Sequence, residues 1–335
     1  MKALTFSDVL IKPAYSEVRS RNDVKLNTRL SDTLECQMPI VASNMKHIIG
    51  PKMVKALDDF GAFSILHRFH ATPMKQRLDY QECVKAGIKV GVSVGVKDEA
   101  KKEVEHLAAV GAKIFCIDIA HGHHILMKEM IAFIKNNVKD SIVIGGNVAT
   151  KYAALSLVEW GADVVKVGIG PGSVCTTRLN TGVGVPQLSA IQEVKEGFIN
   201  YNVTNPIISD GGIKFVGDIA KALKYADMVM LGNMLSGHSE VPSDFYQRYN
   251  AEREETEWYT IYGGSSASET KGNSAFSEGL IKTVTLKGKV KYQLRKIQHG
   301  VKSAFSYVGA NTLKEFQTRC EFIEIGSGGA SESKL

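Results

Sequence analysis

The sequence from 114 to 145 contains a strand, a helix and a second strand in succession. Ile114-Phe115-Cys116-Ile117-Asp118 and Ile142-Val143-Ile144-Gly145 are short apolar runs rich in β-branched residues. Each is too short for a helix and too apolar for an edge strand, so both fit parallel strands that are buried on two faces. Between them, apolar residues recur with helical spacing from Ile125 to Ile134. This stretch therefore predicts a βαβ unit.

Runs of the same kind occur eight times along the chain, and their number indicates the fold. Most of them lie roughly 20 to 30 residues apart, and a helical pattern is also clear from Ala100 to Ala109. Eight strands alternating with helices predict an α/β fold of the closed (β/α)8 type, a TIM barrel. A doubly wound open sheet is the main alternative, and the count of eight argues against it. The other six runs are Pro39–Ala42, Ala62–Leu66, Lys89–Val94, Asp163–Val167, Pro206–Ser209 and Met228–Leu231.

The sequence predicts one catalytic barrel domain, residues 1–325, followed by a short tail. Residues from about 240 to 288 are polar and rich in Gly and Ser, which is typical of a mobile flap. A helix from Val290 to Phe305 is expected to complete the barrel. The last ten residues, 326–335, consist mainly of Gly and Ser and are expected to be disordered.

Composition excludes several classes of protein. With 335 residues, of which 44% are hydrophobic, the chain can bury a core, so we do not expect disorder over its length. No apolar stretch is long enough for a membrane span, and no signal peptide precedes Asp8. The net charge of +6 is mild and mostly scattered, which does not favour a nucleic-acid groove. The five cysteines form no CxxC pair, which predicts a reducing compartment rather than disulfides or zinc.

Polar residues follow the predicted strands, and a barrel would gather them at its C-terminal face, where TIM-barrel enzymes bind their substrates. The segment from Gly168 to Arg178 is the most unusual, because a long Gly-rich loop inside a compact barrel is more often functional than not. The other positions of this kind are Asn44, His67-Arg68, Asp118 with His121, Asn147, Asp210-Gly211-Gly212 and Gly232-Asn233.

Cys175 is the candidate nucleophile, because it lies in this loop beside Ser173, Thr176, Thr177 and Arg178. Inward backbone N–H groups and a nearby cation would lower the pKa of its thiol. A buried structural cysteine is the alternative, and we expect that role for the other four cysteines.

Two glycine-containing turns predict a phosphate site. Asp210-Gly211-Gly212 and Gly232-Asn233 follow the seventh and eighth strands, where barrels commonly bind phosphate through backbone amides. His121, His123 and His124 do not complete a metal-ligand set. No G-x-G-x-x-G follows a strand, so a nicotinamide cofactor would bind in another way than in a Rossmann fold.

The loop from Gly168 to Arg178, with Thr181–Ala190 after it, closely resembles the active-site loop of the IMP dehydrogenase/GMP reductase family. The resemblance extends to Asp118, Gly146-Asn147-Val148, Asp210-Gly211-Gly212, Met230-Leu231-Gly232 and Tyr307-Val308-Gly309, and covers nearly the whole chain. It implies a (β/α)8 barrel, a homotetramer, a purine nucleotide as substrate and a nicotinamide cofactor.

Two features resemble the reductase branch of that family. The chain has no room for CBS modules after the second strand, and its flap from Gly263 to Gly288 lacks the Arg-Tyr pair of the dehydrogenases. The implied reaction is NADPH-dependent reductive deamination of GMP to IMP and ammonia through a covalent bond between Cys175 and purine C2. A dehydrogenase without CBS modules, or a catalytically silent nucleotide-binding regulator, remains an alternative.

The resemblance also implies roles for individual residues. Cys175, Thr177 and Glu278 would be catalytic, and Gly170, Gly172 and Cys175 match carbonyls that bind a monovalent cation such as K⁺ in some members. The substrate-binding residues would be Ser173, Asp210, Gly211, Gly212, Gly232, Asn233, Gly264, Ser265 and Gly279. The cofactor-binding residues would be Ser20, Arg21, Arg68, Asp118, Ile119, Ala120, Ile169 and Gly170.

The chain ends in Ser333-Lys334-Leu335, which matches the peroxisomal import tripeptide. In a eukaryotic cell this ending predicts import into peroxisomes or glycosomes. The short flap resembles that of bacterial proteins, in which the tripeptide has no meaning, and the prediction there is a cytoplasmic protein. We favour the cytoplasmic location.

Overall fold

The computed structural model describes residues 3–70, 72–250, 254–264 and 279–332. Barrel strands alternate with helices along the chain. In chain order the strands are β1 (Val9–Ile11), β2 (Thr28–Ser31), β3 (Leu34–Cys36), β4 (Ile40–Ala42), β5 (Ile65–Leu66), β6 (Gly91–Val94), β7 (Ile114–Asp118), β8 (Ile142–Val148), β9 (Val164–Val167), β10 (Ile207–Asp210), β11 (Met228–Leu231), β12 (Tyr246–Asn250), β13 (Glu255–Gly263), β14 (Ile281–Thr285) and β15 (Phe322–Glu324).

Eight of these strands form the barrel. They are all parallel and lie in the order β4-β11-β10-β9-β8-β7-β6-β5. A parallel bridge between Val41 and Phe63 joins the two ends of that order, so the sheet closes on itself. The predicted TIM barrel is confirmed, and each of its strands falls on one of the eight apolar runs.

Helices cover the outside of the barrel. They are α1 (Pro51–Asp58), α2 (Pro73–Lys85), α3 (Asp98–Ala109), α4 (Ile125–Asn137), α5 (Lys151–Glu159), α6 (Thr177–Thr181), α7 (Gln187–Asn200), α8 (Val216–Leu223), α9 (Val290–Tyr307), α10 (Leu313–Arg319) and α11 (Ser327–Glu332). Helix α9 packs against α8 and α1 and completes the outer layer, as predicted. Thr72 and Thr150 begin α2 and α5 by accepting N–H bonds from Lys75 and Ala153. No helix in the described part of the chain is long and apolar enough to span a membrane.

Alternate residues of the barrel strands point to different layers. Phe115 and Ile117 of β7 pack in the cluster under the helices, whereas Ile114 and Cys116 lie in a second cluster within the barrel. The hairpin formed by β2 and β3 contributes to this inner cluster. Burial on both faces explains why these strands read as continuous apolar runs rather than as alternating patterns.

The segment predicted as a flap contains regular structure that the sequence analysis missed. Strands β12, β13 and β14 form an antiparallel sheet, and Thr260 and Tyr262 of β13 are buried. Residues 251–253 and 265–278, which include Glu278 and Ser265, lie outside the described residues. The Gly and Ser residues dominated the composition of this segment and concealed the alternating pattern of β13.

The prediction of a disordered tail was wrong for part of its length. Ser327–Glu332 form the short helix α11 after β15, which pairs with β1. Gly329 lies against Ile325, where a Cβ atom would approach the Ile325 Cβ to 3.2 Å, so small residues allow the chain to turn back at this point. The tripeptide Ser333-Lys334-Leu335 lies outside the described residues.

Candidate active site

Two cavities open at the C-terminal face of the barrel and meet at Cys175. The first has a volume of about 220 Å³ and the second of about 320 Å³. Both are lined by Asn147, Gly168, Gly170, Cys175 and Asp210. A side chain that borders both cavities can contact two ligands at once, so this junction is where a reaction between them would take place.

The loop after β9 carries Cys175 to this junction. The Cys175 N–H donates to the Gly172 carbonyl over 3.1 Å, and its Sγ donates to Oγ1 of Thr177 over 3.2 Å. Cys175 is partly exposed, unlike the other four cysteines, which are buried. Burial raises the pKa of those four thiols to about 12, so they stay protonated, as in the structural role expected for Cys36, Cys83, Cys116 and Cys320.

Close backbone packing fixes the shape of the loop. A Cβ atom on Gly168 would lie 2.0 Å from the Asp210 carbonyl oxygen, and one on Gly170 would lie 2.6 Å from Arg178 Cγ. Arg178 donates to the Val185 carbonyl over 2.5 Å. Arg178 therefore holds the loop together, and its role as a cation near the thiol stays a prediction.

The strand ends of β10 and β11 line the first cavity with backbone. Gly211 and Gly212 have φ angles of +92° and +83°, which favour glycine. Together with Ser173, Gly232 and Asn233, they form the lining at this end, and Gly264 also contributes. The structure thus brings six residues of the predicted substrate set to one cavity beside Asp210.

Two side chains of the flap segment contact this end of the cavity, and both were missed from the sequence. Tyr262 lies 3.5 Å from the Ser173 hydroxyl through its own Oη atom, and burial raises the pKa of its phenol. The Lys282 ammonium donates to the Ser173 carbonyl over 3.0 Å. Gly279, a predicted substrate contact, forms a bridge with Cys175.

A buried lysine contacts carboxylates that border the two cavities, and it was also missed from the sequence. Lys166 is 1% exposed, and its Nζ atom donates to Asp118 Oδ1 over 2.8 Å and to Asp210 Oδ2 over 3.0 Å. Burial lowers the pKa of Lys166, but the two carboxylates outweigh this effect and hold it above its ordinary value. For Asp118 the effects are reversed. Burial raises the pKa of its carboxyl group, but Lys166 lowers it by more, so the group is ionised. A lone lysine within the apolar run Val164–Val167 was the sequence signal.

The second cavity contains most of the residues predicted to bind the cofactor. Its lining includes Arg68, Asp118, Ile119, Ala120, Ile169, Gly170 and Thr177. The Arg68 guanidinium lies 4.4 Å from the Phe69 ring centre, and its Nε atom is buried without a hydrogen bond among the described residues. A third cavity of about 290 Å³ also borders on Arg68 and Ile119, so the space extends further along the barrel mouth.

Comparison with known proteins identifies the family. Residues 3–335 match the family described as the IMP dehydrogenase / GMP reductase domain. The chain belongs to this family. Among its relatives is GMP reductase 2 of Mus musculus, 36% identical over 338 residues, which cover 96% of this chain and 94% of the relative. GMP reductase of Paracidovorax citrulli is 34% identical over 340 residues, with both chains fully covered.

A solved structure agrees with this family assignment. The crystal structure of a GMP reductase variant from Trypanosoma brucei, in complex with guanosine 5′-monophosphate, superimposes with a TM-score of 0.90. The two chains are 26% identical, and the match covers 100% of this chain and 98% of the other. The similarity therefore extends over the entire barrel of a member of the IMP dehydrogenase/GMP reductase family.

Ser20 and Arg21 lie apart from the other residues that the family resemblance assigned to the cofactor. Ser20 begins a short helical turn by accepting the Asn22 N–H over 3.2 Å, and the Arg21 guanidinium lies 6.0 Å from the Tyr307 ring centre. Neither residue is among those that line the two cavities at Cys175. Within one chain, Ser20 and Arg21 therefore do not lie beside the other residues predicted to bind the cofactor.

The histidines near the barrel mouth have structural contacts. His124 begins α4 by accepting the Leu126 N–H, and His123 stacks on Trp160 at 5.7 Å between ring centres. His67 is buried and stacks on His70 at 3.9 Å. Burial, and then the neighbouring His70 and lysines, lower the pKa of His67 to about 3, so this imidazole is neutral.

Proposed function

We propose that this protein is a GMP reductase, which converts GMP to IMP and ammonia with NADPH as the reductant. The observation that carries the proposal is the position of Cys175 at the junction of two cavities, with Thr177 at 3.2 Å from its sulfur. One cavity offers backbone amides suited to a nucleotide phosphate, and the other suits a second nucleotide. The named relatives are GMP reductases and do not favour the dehydrogenase alternative.

GMP would occupy the first cavity. Its phosphate would accept hydrogen bonds from backbone N–H groups near Ser173, Gly212 and Gly232-Asn233, because glycines let the main chain approach an anion closely. Its ribose hydroxyls would donate to Asp210. Among the described residues, the Asp210 carboxylate accepts hydrogen bonds from Asn147 at 2.9 Å and from Lys166 at 3.0 Å, both through Oδ2, and its Oδ1 atom would face the substrate.

Cys175 would carry the covalent step. Its thiolate adds to purine C2, the 2-amino group takes up a proton and leaves as ammonia, and a thioimidate remains. Breaking the C–N bond before the new C–H bond forms divides one difficult substitution into two steps. Thr177 would orient the thiol. Glu278, proposed with Thr177 to move the proton, lies outside the described residues, as does Ser265, the remaining proposed substrate contact.

A nicotinamide dinucleotide would occupy the second cavity. The buried Nε atom of Arg68 has no partner among the described residues, and a pyrophosphate oxygen would satisfy it. Asp118 would accept a ribose hydroxyl, while Ile119, Ala120, Ile169 and Gly170 would exclude water around the nicotinamide ring. NADPH, when bound, supplies the hydride for C2, and the bond between C2 and the Cys175 sulfur would then break, releasing IMP and the free thiolate. The preference for NADPH over NADH rests on the family.

Oligomer formation would explain the distant cofactor residues. Ser20 and Arg21 lie outside the cavities of their own chain, so they would reach a cofactor only in a neighbouring subunit of the proposed homotetramer.

A monovalent cation such as K⁺ would bind the carbonyls of Gly170, Gly172 and Cys175, where the Gly172 oxygen already accepts one N–H. Residues 1–325 would form one catalytic domain. The protein would work in the cytoplasm, or in peroxisomes or glycosomes of a eukaryote whose import receptor recognises the C-terminal tripeptide.

An assay of cofactor oxidation tests the function. Purified protein is incubated with GMP and NADPH while the absorbance of the reduced nicotinamide is followed, and IMP and ammonia are measured at the end. We expect one IMP and one ammonia for each NADPH consumed, and no turnover by Cys175→Ala. Cys83→Ala, a change at a buried thiol on α2, is the matched control. NADH formation from IMP and NAD⁺ with release of XMP would indicate the dehydrogenase, and GMP binding without turnover would indicate a regulator.

A further inference from the structure

Lys166 occupies a position where a cation is unusual. It lies in the middle of β9, and its side chain points into the barrel, as does that of Val164 two residues earlier. Lysine is almost never fully buried unless its charge is paired. Here the three acceptors of its ammonium group are Asp118, Asn147 and Asp210, so each of the three N–H bonds has a partner.

The register of the sheet creates the space for this arrangement. Asp118 of β7 is paired with Gly146 of β8, and Gly146 is paired in turn with Lys166 of β9. Because Gly146 has no side chain, Lys166 reaches across it to Asp118. A Cβ atom on Gly146 would lie 2.7 Å from the Lys166 Cβ atom, which leaves no room for another residue at this position.

The two carboxylates on Lys166 belong to different ligand sites. Asp210 borders the first cavity as well as the second, whereas Asp118 borders the second cavity only. Their oxygens lie 2.8 and 3.0 Å from one nitrogen, so they are at most about 6 Å apart. Without a cation between them, two carboxylate charges at this separation would repel each other.

We propose that Lys166 is the positioning residue for both nucleotides, holding Asp118 and Asp210 in place so that each accepts hydroxyl hydrogen bonds from a different ribose. This inference rests on the proposed function, which assigns GMP to Asp210 and the cofactor to Asp118. Lys166 contacts neither nucleotide in this arrangement. It acts through the two carboxylates. By fixing their positions, it fixes how the two bound riboses lie relative to each other and to Cys175.

The charge balance gives a pH signature. The groups facing Lys166 and its partners are Asp118, Asp210, Cys116 and Arg68, with Asn44 and Asn147 as neutral hydrogen-bond partners. Burial raises the pKa of Asp118, but Lys166 more than offsets this in the wild type, so the carboxylate is ionised. Removal of the lysine charge raises the pKa of Asp118, so this carboxylate takes up a proton as the pH falls, and its hydroxyl contact weakens. The loss of cofactor affinity is therefore largest at low pH.

Binding of GMP and NADP⁺ to Lys166→Met tests the proposal. Dissociation constants are measured by calorimetry with the full chain at about pH 6 and about pH 8.5, and each is divided by the wild-type value at the same pH. This ratio cancels the titration of the ligand phosphates. We expect NADP⁺ to bind at least about tenfold more weakly at the lower pH, with much of the loss recovered at the higher pH. GMP should bind more weakly at both pH values, because Asp210 loses the hydrogen bond that holds it. Lys166→Arg, which keeps the charge, should restore both affinities.

A double variant keeps the test informative if Lys166→Met does not fold. Lys166→Met combined with Asp118→Asn removes one charge of each sign and leaves Asp210 without a competing carboxylate. We expect the double variant to bind GMP more weakly than Asp118→Asn alone, because Asp210 has lost the ammonium group that holds it, while NADP⁺ binding stays weak in both. Losses of NADP⁺ affinity that are equal at both pH values in Lys166→Met, or a double variant that binds GMP as tightly as Asp118→Asn alone, would overturn the proposal. Failure of the wild type to bind GMP would instead refute the proposed function.

Discussion

The hydroxyl group of Thr177 has a role of its own in the proposed reaction, because it contacts the Cys175 sulfur. Its Oγ1 atom accepts the Cys175 thiol hydrogen over 3.2 Å at the first position of α6. We expect Thr177→Val, which has the same shape, to lower kcat by about a hundredfold, as is usual when a group involved in proton transfer is lost. Thr177→Ser retains the hydroxyl and should lose less than about tenfold. Steady-state kinetics with GMP and NADPH distinguish the two, and equal rates for both variants would contradict the assigned role.

The neutral state of His67 predicts how stability depends on pH. The folded protein holds the pKa of His67 near 3, below its ordinary value of 6.5, so the unfolded chain binds this proton more readily. The free energy of unfolding should therefore decrease as the pH falls below about 6.5, with a contribution of up to about 1.4 kcal/mol per pH unit from this residue. Urea unfolding between pH 7 and about pH 5 measures the slope.

His67→Gln should reduce this slope, because glutamine has no proton to gain and can accept the Phe69 N–H that the imidazole now accepts at 3.1 Å. His299→Gln is the matched control, since His299 is exposed on α9. A slope that changes equally in both variants would mean that His67 does not cause the pH dependence.

The flap segment is the element that joins the nucleophile loop to the rest of the site. The Leu280 N–H donates to the Val174 carbonyl over 2.8 Å, and its own carbonyl accepts the Gly264 N–H over 3.1 Å. We expect Leu280→Pro, which lacks the N–H, to lower kcat/KM for GMP by about tenfold or more. Leu280→Ala retains the N–H and loses a side chain that is 48% exposed, so it should stay near wild type. If the proline variant were fully active, the strand pairing at Cys175 would have no part in catalysis.

The elements differ in how far the sequence predicted them. The barrel strands were predictable because burial on both faces leaves a continuous apolar run, and helix α9 because its apolar spacing is regular. Strand β13 was not, because neighbouring Gly and Ser residues masked its alternation. Lys166 and Tyr262 were missed for another reason: Lys166 is unusual within its apolar run, but only the folded chain shows which polar groups these two side chains meet.

At the scale of the whole molecule, the proposed tetramer predicts sites shared between subunits. Cys175 and Arg21 would then serve one active site from two different chains. We expect a mixture of Cys175→Ala and Arg21→Ala subunits, unfolded and refolded together, to be more active than either variant alone. About a quarter of the sites in a random one-to-one mixture combine both native residues. Activity no higher than the average of the two separate variants would place Arg21 in the site of its own chain, or outside it.

The covalent bond between Cys175 and the purine is the central claim, and mass spectrometry of the quenched enzyme tests it most directly. The protein is mixed with GMP in the absence of NADPH, quenched in acid and digested, and the mass of the peptide that carries Cys175 is measured. We expect a mass increase equal to GMP minus ammonia on that peptide, absent from Cys175→Ala and discharged as IMP when NADPH is added before the quench. Ammonia release with no adduct on Cys175, or turnover by Cys175→Ala, would contradict it.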